Sequence, residues 1–170
     1  ISIAISIAAV TTAHADDLLE KLGAPANPNA AAVKAGDVEA TITPSATHAA
    51  AGQEIAVHAL LDIAPGWHIY GKPLPQGYTT TSIVFDNRLV AAQSLDFPKP
   101  KMVSFPALGE TLPVYQGELS GEGKIRIHPG LKAGAYKLAG KLSFQECNDQ
   151  ICKLPQSVAF EMPFTVDPRK

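Results

Sequence analysis

Cys147 and Cys152 are the only cysteines in the 170-residue chain and lie five positions apart, within Phe144-Gln145-Glu146-Cys147-Asn148-Asp149-Gln150-Ile151-Cys152-Lys153. Two sulfurs bond when their Cα atoms stand roughly 4.4–6.8 Å apart. Five extended steps would separate them by about 17 Å, so the chain must turn back between them. Asn148 and Asp149 suit that turn, because their side chains bond nearby backbone and tolerate left-handed dihedrals. The pair reads as a small dithiol/disulfide loop near solvent at the end of a strand. As a staple, so short a loop is worth roughly 2 kcal/mol, against about 3 for a 15-residue loop. Thiol–disulfide exchange makes better use of adjacency, since one thiolate attacks a partner and the other resolves the mixed disulfide. Two functions therefore stand: redox exchange, or a secreted binding or structural module with a stapling bond.

The compartment bears on that choice. Residues 1–15 form an apolar run closing on Ala13-His14-Ala15 ahead of Asp16-Asp17, the pattern of the rear half of a signal peptide, here truncated of its basic front end. The run is shorter than the roughly 20 residues of a membrane-spanning helix. Cleavage after Ala15 would release a soluble exported protein into an oxidising space, where disulfides persist. The net charge of −2 and the lack of any basic run argue against nucleic acid or anionic membrane as partners.

The elements that must position the pair are strands. After residues 16–36, rich in Ala, Pro and Asn and read as a flexible linker, the hydropathy period becomes two. Val38, Ala40 and Ile42 share one face, as do Ile55, Val57, Ala59, Leu61 and Ile63. Ile125 and Ile127 follow, then Tyr136, Leu138, Leu142 and Phe144, and finally Val158, Phe160, Met162, Phe164 and Val166. Pro65-Gly66, Pro129-Gly130 and Ala133-Gly134 punctuate these runs. The expectation is an all-β antiparallel sandwich over residues 37–167, with no helical stripe to compete. If the strand ending in Phe144 continued, Cys147 would fall on its outward parity and be accessible.

Gly66-Trp67-His68-Ile69-Tyr70, Val114-Tyr115-Gln116-Gly117-Glu118 and the cysteine block through Leu154-Pro155 resemble, in order, the N-terminal periplasmic domain of the DsbD thiol–disulfide interchange family. The similarity runs from about Asp37 to Val166. It implies an immunoglobulin-like β-sandwich in the periplasm that relays electrons between thiol proteins, an activity of the protein-disulfide reductase type needing no cofactor. Implied partners are thioredoxin-like periplasmic proteins or domains. The chain closes on Asp167-Pro168-Arg169-Lys170, with no membrane or thioredoxin-like domain following, so it is either stand-alone or a fragment. If stand-alone, a separate membrane electron-transfer protein would supply the electrons. Cys152 matches the cysteine that forms the mixed disulfide and Cys147 the resolving one. Lys153 beside Cys152 should favour its thiolate, whereas Glu146 and Asp149 should disfavour ionisation of Cys147.

In the family an aromatic-bearing loop caps the pair. Here that loop corresponds to Lys101 through Gly109, with Phe105 as the cap and Ser104 where the family carries an acidic residue. His68 and Tyr70 share one strand face near the pair, either as ordinary surface or with a role beside the disulfide, while Trp67 and Ile69 are expected in the core. His48, His58 and His68 recur at even intervals, but separate strands give them no reason to converge, and no metal site is expected. No Gly-x-Ser-x-Gly or phosphate-cradling motif is present.

Overall fold

A computed structural model describes residues 29–168. Expectations for the signal peptide and for residues 16–28 lie outside those residues. Thirteen strands and no helix make up the described chain, in three sheets. The first has the order β1 (Ala31–Ala35), β2 (Val38–Pro44), β4 (Glu54–Ile63), β10 (Gly117–Ile127) and β7 (Val90–Asp96). The second has the order β3 (His48–Ala50), β13 (Gln156–Asp167), β11 (Gly134–Phe144) and β6 (Ser82–Phe85). The third is small: β12 (Glu146–Cys147), β5 (His68–Tyr70), β9 (Glu110–Tyr115) and β8 (Lys101–Phe105). Pairing is antiparallel throughout except for β3 with β13.

The first two sheets face each other across the main core. Ile42, Leu61, Ile125 and Ile127 from one side meet Leu138, Leu142, Phe144, Phe164 and Val166 from the other. These are the inward members of the alternating runs, and strand alternation places every second side chain in that layer. Apolar burial at about 25 cal/mol per Å² makes this layer the dominant stabilising term. The arrangement is the antiparallel sandwich expected from the hydropathy period.

Ala31–Ala35, read from composition as part of the linker, is instead an edge strand. It pairs with β2 from Ala31↔Ile42 to Ala35↔Val38. The turn Gly36-Asp37 closes the hairpin with Gly36 at φ 56°. Glycine takes that left-handed value without steric penalty, and it occupies the first central position of a two-residue turn.

Candidate redox site

The site lies where the chain changes sheets. β11 pairs with β13 as far as Phe144↔Gln156, and after one intervening residue, Gln145, β12 pairs with β5 in the third sheet. Inward-outward alternation is lost across this crossing, so Phe144, Gln145, Glu146 and Cys147 are all buried in succession. Cys147, expected to be accessible by parity, is only 1% exposed. Cys152 is exposed.

Cys147 and Cys152 are joined by a disulfide, with Cα atoms 4.1 Å apart. The backbone explains the closeness. Lys153 N donates to Glu146 O at 3.0 Å and Asn148 N to Ile151 O at 2.9 Å, so those bonds flank the cysteines. The cysteines are thus a non-hydrogen-bonded antiparallel pair, the closest-approaching kind. Asn148 builds the turn as its type predicts: its Oδ1 accepts from Gln150 N and Ile151 N, each at 2.8 Å. No non-glycine residue among those described needs positive φ. Gln145 anchors the loop base, accepting from Thr79 N at 3.0 Å and donating to Lys153 O at 3.1 Å.

Around Cys147 lies a second small core of Tyr70, Leu112 and Val114, with Leu74, Tyr78, Val103 and Phe105 packed on it. His68 pairs directly with Cys147 across β5 and β12. It is 3% exposed, and its Nε2 is buried without a hydrogen-bond partner. Burial holds its pKa below the ordinary value, opposed by the charge of Asp149. Its ring lies 5.0 Å from that of Phe105 and 5.4 Å from that of Tyr70. The Tyr70 hydroxyl stands 3.8 Å from Cys152 Sγ. Burial, with Tyr78 and Glu110 nearby, pushes its pKa up to about 12. Tyr78 in turn donates to Glu110 Oε2 at 2.7 Å and stacks edgewise on Tyr70. His68 and Tyr70 are therefore buried beside the disulfide, and neither is ordinary strand surface.

Phe105 is half-buried and joins the cluster containing Cys147, with its ring against His68. It sits on β8, so the aromatic-bearing loop expected over residues 101–109 is one strand and the turn of a hairpin, the turn spanning residues 106–109. Ile69 is fully buried in the main core; Trp67 is only partly buried at its edge.

Lys153 is held by two carboxylates and an aromatic ring. Its Nζ lies 2.6 Å from Asp37 Oδ2, 2.8 Å from Glu146 Oε1 and 4.1 Å from the centre of the Trp67 ring. Both carboxylates raise its pKa, so it stays a cation whose charge is spent on them. The ammonium expected beside the Cys152 sulfur is thus engaged by Asp37 and Glu146. Glu146 has no exposed side-chain surface and is satisfied on every side: Asp37 N donates at 3.0 Å and Gln156 Nε2 at 2.7 Å, in addition to Lys153. Its carboxylate, expected to act on Cys147, is thus engaged by Asp37, Gln156 and Lys153. The sequence showed Glu146 only as a neighbouring charge; Cys147 next to it and Phe144 two positions before were the available sign of burial. Tyr78, Glu110, Leu112 and Val114 were likewise missed, because Tyr78 reaches the site from the loop after β5 and the other three from β9, distant in sequence.

The three evenly spaced histidines part company. His48 Nδ1 lies 2.8 Å from Asp167 Oδ2, His58 Nε2 lies 2.8 Å from Ser120 Oγ, and His68 is buried by the disulfide.

The family described as thiol:disulfide interchange protein DsbD, N-terminal, matches residues 37–163. The chain belongs to this family. It is thus a thiol–disulfide exchange domain of the DsbD N-terminal kind, with its cysteine pair at bonding distance. Among solved structures, the N-terminal periplasmic domain of ScsB from Proteus mirabilis is similar at TM-score 0.59 and 15% identity, covering 77% of this chain and 49% of that one. The chain spans about half of that protein's length, and the likeness bears on the sandwich fold alone. The DsbD N-terminal domain of Neisseria meningitidis, in its reduced form, aligns over 88% of this chain and 98% of that one at 16% identity, with TM-score 0.39. No curated protein matches the chain.

Proposed function

We propose that this domain is a periplasmic redox relay, exchanging electrons with thioredoxin-like thiol proteins through Cys147 and Cys152. The observation that carries this reading is the unequal exposure of the two sulfurs. A partner thiolate can reach Cys152, while Cys147 is 1% exposed. Attack at Cys152 forms the mixed disulfide with the partner and expels Cys147 as the leaving sulfur. A second partner thiol, or the return of Cys147, completes the exchange. Phe105 caps the buried half of the bond, and Tyr70 steadies the exposed half. Ile151, 55% exposed, and Leu154, 85% exposed, flank Cys152 with apolar surface suited to a partner's rim.

The test is trapping. Cys147→Ser, holding only the exposed thiol, accumulates mixed disulfides with periplasmic thiol proteins, and Cys152→Ser does not. Equal trapping by both variants, or by neither, would defeat the assignment. A reduction potential well below about −300 mV would instead mark the bond as a structural staple.

A further inference from the structure

When the reduced pair re-forms its bond, Cys147 must lose a proton in a place water hardly reaches. An apolar pocket keeps a buried thiol protonated at neutral pH, and Cys147 is enclosed by Tyr70, Leu112, Val114 and Phe105. The charged and titratable groups around it are few. Glu146, its neighbour on β12, is engaged in bonds with Asp37, Gln156 and Lys153. Lys153 is a cation held by carboxylates. Asp149 is exposed on the turn. On β5 the Tyr70 hydroxyl keeps its own proton at neutral pH and sits against Cys152. From β8 the Phe105 ring packs against His68, and Tyr78, which packs on the same cluster, donates its hydroxyl hydrogen bond to the Glu110 carboxylate of β9.

That leaves His68. It is the direct cross-strand partner of Cys147, and directly opposed residues carry their side chains on one face with Cβ atoms about 4.5–5.5 Å apart. Its buried Nε2 has no hydrogen-bond partner while the disulfide is closed. A closed disulfide offers no donor; a Cys147 S–H would supply one. We propose that His68 is the general base that takes the Cys147 proton during closure of the bond.

The step balances. Cys152 carries half of the oxidant as a mixed disulfide. The Cys147 S–H proton passes to His68 Nε2, the sulfur's electron pair attacks Cys152 Sγ, and the oxidant's sulfur leaves as a thiolate with the electrons of the broken bond. A cysteine activated by a neighbouring neutral imidazole is a familiar nucleophile pair. Burial, which disfavours the imidazolium, keeps His68 unprotonated and ready to accept at neutral pH.

The inference rests on the pair being redox-active, but it concerns closure alone and needs no protein partner. Reduced protein is mixed with an aromatic disulfide that releases a yellow thiolate. The first release, by Cys152, depends on reagent concentration, and the second, by Cys147, does not. In the wild type the second phase should be flat between about pH 7 and 8, because a neutral base serves throughout. In His68→Gln it should fall at least tenfold at pH 7 and regain about tenfold per pH unit toward the ordinary thiol pKa near 8.5. A wild-type second phase that itself climbs tenfold per unit would overturn the proposal. So would a His68→Gln profile matching the wild type. Should His68→Gln fail to fold, the wild-type profile still decides, together with Cys152→Ser. In that variant a Cys147 already showing thiolate absorbance at pH 7 would leave nothing for a base to do. Failure of the relay reading is seen elsewhere, as absent trapping or a strongly reducing potential.

Discussion

Tyr70 places a hydroxyl that stays protonated at neutral pH 3.8 Å from the exposed sulfur. Once the bond opens, that hydroxyl can donate to a Cys152 thiolate, and hydrogen bonds to charged acceptors contribute about 1.5–3 kcal/mol. Tyr70→Phe should therefore raise the Cys152 thiol pKa by about one unit or more. The pH dependence of iodoacetamide alkylation in Cys147→Ser, with and without Tyr70→Phe, measures it; coincident curves would mean the tyrosine only packs. Phe105 makes a complementary case. A fully buried phenylalanine costs about 3–5 kcal/mol when cut to alanine, but this ring is half-buried over His68 and the Cys147 cluster. Phe105→Ala is expected to lose less stability than that and to speed reduction by glutathione. A large stability loss with unchanged reactivity would make Phe105 a core anchor.

Long strands were legible from their residues because one face of each is dry and the other wet. β4 alternates buried and open positions almost without fault, as does β13 over its second half. The third sheet was not legible. β5 is buried at all three positions, β9 carries Leu112, Pro113 and Val114 buried in a row, and β12 has two residues. Such strands, covered on both faces or too short, show no period. The cysteine loop was readable as a turn, since Asn148 announces it, but not its depth, which depends on the crossing at Gln145. The same crossing explains why the Glu146 cluster escaped notice. That cluster gives an element-scale prediction. Glu146→Ala strips the acceptor from Asp37 N and Gln156 Nε2 and should cost about 1–3 kcal/mol. Gly36→Ala should disturb the same place from the other side, because a Cβ there would sit 1.9 Å from Glu146 Oε1. Urea unfolding of both variants checks this; a wild-type midpoint for Gly36→Ala would mean the turn yields freely.

At the scale of the molecule, the buried imidazole ties folding to acidity. Its folded pKa lies below 6.5, so the unfolded chain takes up the proton first as pH falls. Stability contributed by the neutral form is present above 6.5 and is lost as pH drops toward the folded value. Melting temperatures at about pH 7 and about pH 5.5 should therefore differ more in the wild type than in His68→Gln. An equal drop in both would assign the acid sensitivity to other groups. The hairpin of β1 and β2 carries a different lesson, about where a folding unit starts. Family kinship begins at Asp37, but the turn at Gly36 lies against the carboxylate beneath the redox loop, and β1 screens the outer edge of β2 while touching β13. A polypeptide cut at Asp37 would present a charged amine where an amide now donates to Glu146, and would bare a long sheet edge open to intermolecular pairing. The boundary drawn by ancestry and the boundary drawn by mechanics differ here by one strand, and a recombinant domain that respects only the first should be the one that aggregates.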